Sequence, residues 1–156
     1  MVKNIAITIR RSAESDIPAL FQIRTAVREN HMTLAELAAA DVTADSVSTM
    51  LGGKHAAAWI GFDGETPLGF SMARADVGDV FALFVLPEAE GLGLGTKLLA
   101  EAECWLAFRD VTNAWLLTGG EPGLRAPGFY LKRGWVCERR EADGQIRFTK
   151  QLKRHM

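Results

Sequence analysis

The sequence predicts an α/β (α+β) fold built on a mixed, mostly antiparallel and twisted sheet of about seven strands, with helices on both faces. Segments of strand-like and helical periodicity follow one another in the order β-αα-βββ-α-β-α-ββ. Asp-Gly pairs at residues 63–64 and 143–144 each separate two strand-like segments, as in β-hairpins. We expect residues 1–156 to form a single domain, because this length supports one hydrophobic core.

The first strand is predicted at Ile7–Ser12, where apolar and polar residues alternate. A helix follows, capped by Ser15 or Asp16, with Pro18 in its first turn, where no backbone donor is needed. We expect this helix to end near Asn30. Its apolar residues at helical spacing are Ile17, Leu20, Ile23 and Val27.

Two shorter helices and a run of strands come next. Thr33–Glu36 has the pattern of a capping box, and a second helix is predicted from Thr43 to Gly52. Residues 55–76 predict a hairpin with its Asp-Gly pair at the two central positions of the turn. The strand Asp79–Leu86 is apolar at seven successive positions, which predicts a central strand that is buried on both faces.

The second half of the chain begins with an amphipathic helix over residues 94–106. A strand is then predicted at Thr112–Gly119. A short helix ends at Gly134, since glycine is common just after the last helical turn. The closing hairpin covers residues 135–152.

The composition argues against several classes of protein. A formal net charge of -1 does not favour a general nucleic-acid binder. No apolar run approaches the ~20 residues of a membrane-spanning helix, and the N-terminus lacks the features of a signal peptide. Cys104 and Cys137 form no CxxC pair. We interpret them as buried thiols, which fits a reducing cytoplasm.

The junction between the apolar strand and the next helix carries Gly91, Gly93 and Gly95. Backbone N–H groups at a helix start have no partner inside the helix, and the helix dipole adds partial positive charge there. Glycines let these groups converge on a ligand, so we expect a phosphate or pyrophosphate. Thr96 replaces the last glycine of a GxGxxG motif, and the Thr-Lys order at Lys97 does not fit a Walker A loop. A tight turn without a ligand is the alternative.

Two segments resemble the GCN5-related N-acetyltransferase (GNAT) family. VLPEAEGLGLGTKLL, residues 85–99, is similar to the family's motif A, and GFYLKRGW, residues 128–135, is similar to its later F-Y-x-K-x-G-F segment. The resemblance extends over about residues 5–152 in element order and motif placement. It implies the acyl-CoA N-acyltransferase fold, whose fourth and fifth strands splay apart in a V that holds acetyl-CoA.

The resemblance also implies which residues contact acetyl-CoA as cosubstrate. Backbone N–H groups of the glycine junction would meet the pyrophosphate, and the pantetheine arm would pair with the backbone of Phe84 and Val85. The implied contact residues are Phe84, Val85, Gly91, Leu92, Gly93, Leu94, Gly95, Thr96, Ala126, Phe129 and Tyr130. Two positions depart from the family pattern: Glu90 stands where Gln or Arg is usual, and Gly123 stands where Asn is frequent.

Tyr130, the single tyrosine of the chain, is the candidate catalytic residue. The resemblance places its hydroxyl near the sulfur of CoA. A phenol of reference pKa about 10 could protonate a departing thiolate of reference pKa about 8.5. A backbone N–H near Phe84 or Val85 would hold the oxyanion. A core aromatic with a satisfied hydroxyl is the alternative interpretation.

No general base is assigned from the sequence. Asp76, Asp79 and Glu121 flank the expected site, and we interpret each as a solvated loop acid.

The sequence predicts an acetyl-CoA-dependent N-acetyltransferase that moves an acetyl group directly, in a ternary complex, to a primary amine of a small molecule, amino acid or peptide. Arg28, Asn30 and His31 are candidates for holding a carboxylate or amide of the substrate, with ordinary helix termination as the alternative. A lone histidine does not indicate a metal site. Two other functions stay open: a non-catalytic acyl-CoA-binding sensor or interaction domain, and transfer of a different acyl group. The oligomeric state is open, with a homodimer as one option.

Overall fold

The computed structural model describes residues 6–29 and 31–153, and within them it contains a seven-stranded sheet in the order β1-β2-β3-β4-β5-β7-β6. The strands are β1 (Ile7–Arg11), β2 (Ala56–Asp63), β3 (Thr66–Arg74), β4 (Asp79–Val85), β5 (Asn113–Thr118), β6 (Val136–Arg140) and β7 (Ile146–Gln151). Neighbouring strands are antiparallel except β4 and β5, which are parallel. The predicted mixed, mostly antiparallel sheet is therefore confirmed.

Helices cover both faces of the sheet, as predicted. They are α1 (Ile17–Arg24), α2 (Leu34–Ala39), α3 (Ala44–Gly52), α4 (Leu94–Phe108) and α5 (Ala126–Lys132). On one face, α4 buries a leucine stripe against the sheet in a cluster that also holds Trp135 and Phe148. On the other face, α1 and α3 pack against Phe70 and Met72 of β3. The apolar periodicity of α1 and α4 explains this two-sided arrangement.

The capping box at Thr33–Glu36 is present. The Thr33 hydroxyl accepts from the Glu36 N–H, and the Glu36 carboxylate accepts from the Thr33 N–H, both at 3.1 Å. By contrast, α1 ends at Arg24, earlier than predicted. The Thr25 hydroxyl donates to the Phe21 carbonyl at 2.8 Å, so it supplies a partner to the last turn of α1.

The first Asp-Gly turn is shifted by one residue from its predicted position. Asp63 pairs with Thr66, so Gly64 and Glu65 occupy the centre of the turn. Gly64 has a φ of +61°, and Glu65 is not among the residues with positive φ. This fits a type II′ turn, which needs glycine only at its first central position.

The fourth strand of the sheet, β4, is central but is not buried on both faces. Asp79 and Val80 are buried, whereas Phe81 is 38% exposed and residues 82–85 are half-buried. The prediction of two buried faces was wrong. Strand β4 pairs with β5 only at Asp79, the first residue of β4, and the two strands diverge beyond it.

The prediction of buried thiols was also wrong, since Cys104 and Cys137 are both exposed. Cys104 lies on the outer side of α4. Cys137 lies on β6, the edge strand, all of whose residues are exposed.

Candidate active site

An opening in the sheet separates β4 from β5. The two parallel strands share one residue pair, Asp79 with Trp115. The Trp115 backbone N–H donates to the Gly78 carbonyl at 3.1 Å, and its indole N–H donates to the Val77 carbonyl at 2.8 Å. These bonds fix the point of divergence. Beyond it, no strand of the described residues pairs with this edge of β4, which leaves backbone groups available to an extended ligand.

A β-bulge lies where the opening begins. Met72 and Ala73 on β3 pair with Ala82 and Val80 on β4, so Phe81 is an extra residue on β4. A bulge bends and twists its strand and takes one residue out of the hydrogen-bonded ladder. The bulge therefore helps to turn the rest of β4 away from β5.

Alternation along β4 determines which peptide groups face the opening. The Leu86 N–H donates to the Leu68 carbonyl of β3 at 2.8 Å, so the peptide groups of Leu86 are directed at β3. Those of Phe84, two residues earlier, share that direction. The peptide groups of Leu83 and Val85 therefore face the opening. Of the two amides expected to meet the ligand, that of Val85 is suitably placed, whereas that of Phe84 is directed away from the opening.

The glycine junction forms an open loop before α4. Gly91 and Gly93 have φ values of +80° and +81°, where residues with side chains are strained. A Cβ added at either position would meet no atom within 4 Å, so both residues border open space. The first bond of α4 runs from the Lys97 N–H to the Gly93 carbonyl at 3.2 Å. The backbone N–H groups of residues 94–96 precede that bond and have no partner inside the helix.

Side-chain packing anchors the start of α4 on the sheet. Leu94 is 1% exposed, and a Cβ added to Gly61 would lie 2.6 Å from its Cδ1 atom. A Cβ added to Gly69 would lie 3.1 Å from its Cδ2 atom. These two glycines leave the hollow that Leu94 fills. One turn later, the buried Ser71 hydroxyl donates to the Leu98 carbonyl at 3.0 Å. Leu94 can therefore contribute its backbone, but not its side chain, to a ligand site.

Tyr130 lies on α5 inside an aromatic cluster. Its ring centroid is 5.3 Å from that of Phe129, 6.1 Å from that of Trp135 and 5.8 Å from that of Phe148. Burial raises the pKa of the Tyr130 hydroxyl above its ordinary value, so the phenol stays protonated. Among the described residues this hydroxyl has no hydrogen-bond partner. The ring is thus held by packing, while the O–H remains available to donate.

Helix α5 packs directly against the glycine loop. The Phe129 ring lies 3.4 Å from where a Cβ of Gly95 would stand, so Gly95 permits close packing of α4 against α5. Ala126, the first residue of α5, is half-buried. The Arg133 guanidinium lies 3.8 Å from the centroid of the Phe129 ring and donates from Nε to the Thr96 hydroxyl at 2.8 Å. A positive charge therefore stands beside the first turn of α4.

The acidic side chain of Glu90 has positively charged neighbours. Its carboxylate pairs with Arg125, and the Arg28 guanidinium lies 3.9 Å away. The Glu29 carboxylate accepts the Arg125 backbone N–H at 3.1 Å with each oxygen. These contacts join the segment after α1 to the glycine loop and to the start of α5. They also offset the charge that makes Glu90 unusual for an anion site.

A cavity of about 330 Å³ lies on the α1–α3 side of the opening. Its lining is mainly apolar and comes from α1, α2, α3 and strands β3, β4 and β5. Arg24 is 8% exposed and lies in this lining, with its guanidinium 4.1 Å from the centroid of the Phe84 ring. Burial lowers the pKa of the Arg24 guanidinium.

Asp79 belongs to the same cavity and is not a solvated loop acid. It is 3% exposed and begins β4. Arg74 donates to it from Nε at 2.9 Å and from Nη2 at 2.5 Å, which raises the pKa of the arginine. The prediction failed for Asp79 because this residue is the first of β4 and pairs with Arg74 on β3, so it lies within the sheet and not in the preceding loop. Asp76 and Glu121 are exposed, as predicted.

Of the residues predicted to hold the substrate, Arg28 and His31 are not among the described residues that line this cavity. Arg28 has a 68% exposed side chain and lies near Glu90. His31 is exposed, and its Nε2 lies 2.9 Å from the Thr25 carbonyl, which supports helix termination. Asn30 lies outside the described residues.

Two arginines of this region were missed from the sequence. The sequence could have indicated Arg24. It follows Leu20 by four residues, so it places a charge within the apolar stripe of α1. No sequence pattern indicates Arg133, because its position depends on how α5 packs against α4.

Residues 6–29 and 31–153 were compared with the features of metal sites and of membrane-spanning helices. In that part of the chain, no cluster of three or more His, Cys, Asp or Glu residues could hold a metal ion. None of the helices described there is long and apolar enough to cross a bilayer.

The split parallel pair and the open glycine loop define an acyl-CoA N-acyltransferase fold, as predicted. The sequence model described as the acetyltransferase (GNAT) family matches residues 20–135, and the chain belongs to this family. The protein is therefore an N-acetyltransferase. No curated protein matches the sequence significantly.

Solved structures share this fold over nearly their whole length. The PaiA N-acetyltransferase from Thermoplasma acidophilum, in complex with coenzyme A, has a TM-score of 0.78 and 14% identity, over 95% of this chain and 100% of that one. The ribosomal-protein-S18-alanine N-acetyltransferase from Escherichia coli has a TM-score of 0.72 and 16% identity, over 97% of each chain. An acetyltransferase of the GNAT family from Staphylococcus aureus Mu50 has a TM-score of 0.77 and 16% identity, over 95% of this chain and 100% of that one.

Proposed function

We propose that the protein transfers an acetyl group from acetyl-CoA directly to a primary amine while both substrates are bound. The observation that carries this proposal is the opening between β4 and β5, which runs beside the glycine loop on one side and beside the apolar cavity on the other. A thioester bound along β4 would then face an amine held in the cavity, and no covalent enzyme intermediate is required.

The residues around the loop fit a diphosphate. The N–H groups of residues 94–96 and the dipole of α4 supply hydrogen bonds and positive potential. Gly91 and Gly93 leave open space in front of the backbone. Thr96 and Arg133 add a hydroxyl and a guanidinium at the same helix end. We assign the diphosphate of acetyl-CoA to this cradle, and its pantetheine amide groups to the free edge of β4 at Val85.

The proposed chemistry needs one proton donor and one oxyanion site. The neutral amine attacks the thioester carbonyl carbon, the C–S bond breaks, and the sulfur takes the proton of the Tyr130 hydroxyl. The attacking nitrogen loses one proton as the amide forms, and this proton returns through water to the phenolate of Tyr130. A backbone N–H on the free edge of β4 supports the oxyanion. Burial raises the pKa of the Tyr130 hydroxyl, so the phenol carries its proton when the thiolate leaves.

Calorimetric titration with CoA, acetyl-CoA and NAD tests the cosubstrate assignment. CoA and acetyl-CoA should bind, and NAD should not. Release of free thiol from acetyl-CoA should require an added primary amine, with no acetylated enzyme detected by mass spectrometry. Binding of NAD but not CoA would refute the assignment of the loop. A stable acetyl-enzyme formed without amine would refute direct transfer.

A further inference from the structure

The walls of the cavity beside β4 indicate what kind of acceptor it would hold. We propose that this cavity takes the apolar body of an alkyl or arylalkyl primary amine, and that Phe81 and Leu117 determine this preference. This inference rests on the proposed function, because it assumes that the acceptor occupies the cavity during acetyl transfer.

The register of the two parallel strands places an apolar side chain on each side of the opening. Strands β4 and β5 share the pair Asp79 with Trp115, and Phe81 and Leu117 each lie two residues further along their strands. Both residues line the cavity. Phe81 is 38% exposed and Leu117 is 44% exposed, so each has apolar surface that a ligand could cover.

The β-bulge adds an aromatic ring to the wall of the cavity. Phe81 is the extra residue of β4, and both it and the next residue, Ala82, line the cavity. Strict alternation along a strand would direct only one of these two side chains to that face. The Arg74 guanidinium lies 4.5 Å from the centroid of the Phe81 ring and packs over it. The bulge therefore supplies a positioned aromatic contact at the opening.

The charged groups of the cavity already have partners within the protein. Its described lining contains three charged residues, Arg24, Arg74 and Asp79, and one neutral amide, Gln145. Arg74 donates two hydrogen bonds to Asp79. Arg24 is also engaged by neighbouring groups, among them the Phe84 ring. A second charge on the acceptor would have to displace one of these partners or stay unpaired, and burial of an unpaired charge is costly.

The volume of the cavity is better suited to the acceptor than to the acyl group. At about 330 Å³ it is at the low end for ligand sites, which suits one compact molecule. An acetyl group has two carbon atoms and would leave most of this space unfilled. The other molecule that could enter is a longer acyl chain on CoA, and this occupant is included in the experiment below.

Rates of thiol release with a homologous series of amines test the preference. Propylamine, butylamine, pentylamine and hexylamine have nearly equal basicity and differ in apolar length alone. Their kcat/KM should rise roughly fourfold per added methylene, the factor that corresponds to ~0.8 kcal/mol. 1,4-Diaminobutane, in which an ammonium replaces the terminal methyl group of pentylamine, should have a kcat/KM roughly tenfold or more below that of pentylamine.

Substitutions at the opening assign the preference to its two wall residues. In Leu117→Thr and in Phe81→Ser, the rise of kcat/KM along the amine series should be smaller than in the native protein. The matched controls are Leu34→Thr and Phe108→Ser, because these residues are 63% and 81% exposed and lie outside the described lining of the cavity. Both controls should keep the native dependence on chain length.

A binding measurement gives a second readout that needs no turnover. N-Acetylhexylamine should bind the CoA-loaded native protein in a calorimetric titration, with the negative heat-capacity change of apolar burial. It should bind Leu117→Thr roughly fourfold or more weakly, while both proteins bind CoA alike. This comparison also shows that the variant is folded.

Three results would overturn this inference alone. They are a kcat/KM that does not change along the amine series, a dependence on chain length that survives in both variants, and a higher kcat/KM with hexanoyl-CoA than with acetyl-CoA. The last result would assign the cavity to the acyl chain. The absence of thiol release with every amine would instead refute the proposed function.

Discussion

Replacing Tyr130 with phenylalanine should separate catalysis from stability. The ring is held by three aromatic neighbours, whose centroids lie 5.3 to 6.1 Å away, and phenylalanine keeps all of these contacts. The hydroxyl has no hydrogen-bond partner among the described residues, so its removal leaves no orphaned group. We expect the free energy of unfolding to change by less than about 1 kcal/mol, while kcat falls by roughly 10² to 10⁴, the usual contribution of a general acid.

Two measurements test this expectation on the same protein. Urea unfolding gives the change in stability, and thiol release from acetyl-CoA with a saturating amine gives kcat. The control is Phe129→Leu, which alters the neighbouring ring and leaves the phenol in place. An unchanged kcat in Tyr130→Phe would refute the acid role. A fall in kcat together with a loss of several kcal/mol would show that the hydroxyl supports the fold instead.

The alkaline titration of the same residue follows from its burial. The pKa of Tyr130 is raised in the folded protein, so its protonated form favours folding, and this contribution is fully present below the pKa of the unfolded phenol, about 10. Above that pH the contribution is lost progressively until the folded phenol ionises, at about 1.36 kcal/mol per pH unit. Because Tyr130 is the single tyrosine, tyrosinate absorbance follows this one group. Tyr130→Phe should lack this part of the alkaline decline, and native absorbance that rises near pH 10 without unfolding would contradict the reasoning.

Three further predictions concern the loop and the thiols. Gly93→Ala should strain the backbone by about 1–2 kcal/mol and weaken CoA binding roughly tenfold in a calorimetric titration; an unchanged Kd would exclude the loop as the diphosphate site. Glu90→Gln should leave the free energy of unfolding within about 1 kcal/mol and tighten CoA binding at low salt, because Arg125 is released; weaker binding would contradict this account. Cys104 and Cys137 should both react with a thiol reagent in the folded protein, whereas labelling that requires urea would contradict their exposure.

Local patterns explain why the architecture could be predicted from the sequence. The Thr33–Glu36 capping box forms entirely within four residues, so the sequence pattern is sufficient to predict its two hydrogen bonds. The glycine loop is similarly local, since its positive φ values need only Gly91 and Gly93. In both cases the residues that interact are also neighbours along the chain.

Packing between elements explains what sequence reasoning missed. Asp79 pairs with Arg74 across the β3–β4 hairpin, five residues away along the chain. Arg133 reaches Thr96 because α5 packs across the start of α4. Arg125 offsets the charge of Glu90 from 35 residues away along the chain. Each of these pairs contains a charge whose environment is fixed by another element.

Two consecutive residues of β4 connect the two halves of the proposed site. The Phe84 ring belongs to the cluster on the α1–α3 face, where Arg24 lies over it. The Val85 side chain packs on the α4 face, where its Cγ2 atom would lie 3.7 Å from a Cβ of Gly95. Because successive side chains of a strand point to opposite faces, one strand positions the acceptor cavity and the cofactor loop together. A shift of β4 by one residue would exchange these faces and move both proposed sites away from the opening. We therefore expect the bulge at Phe81 and the packing of Leu94 to affect catalysis, although neither residue carries the reacting groups.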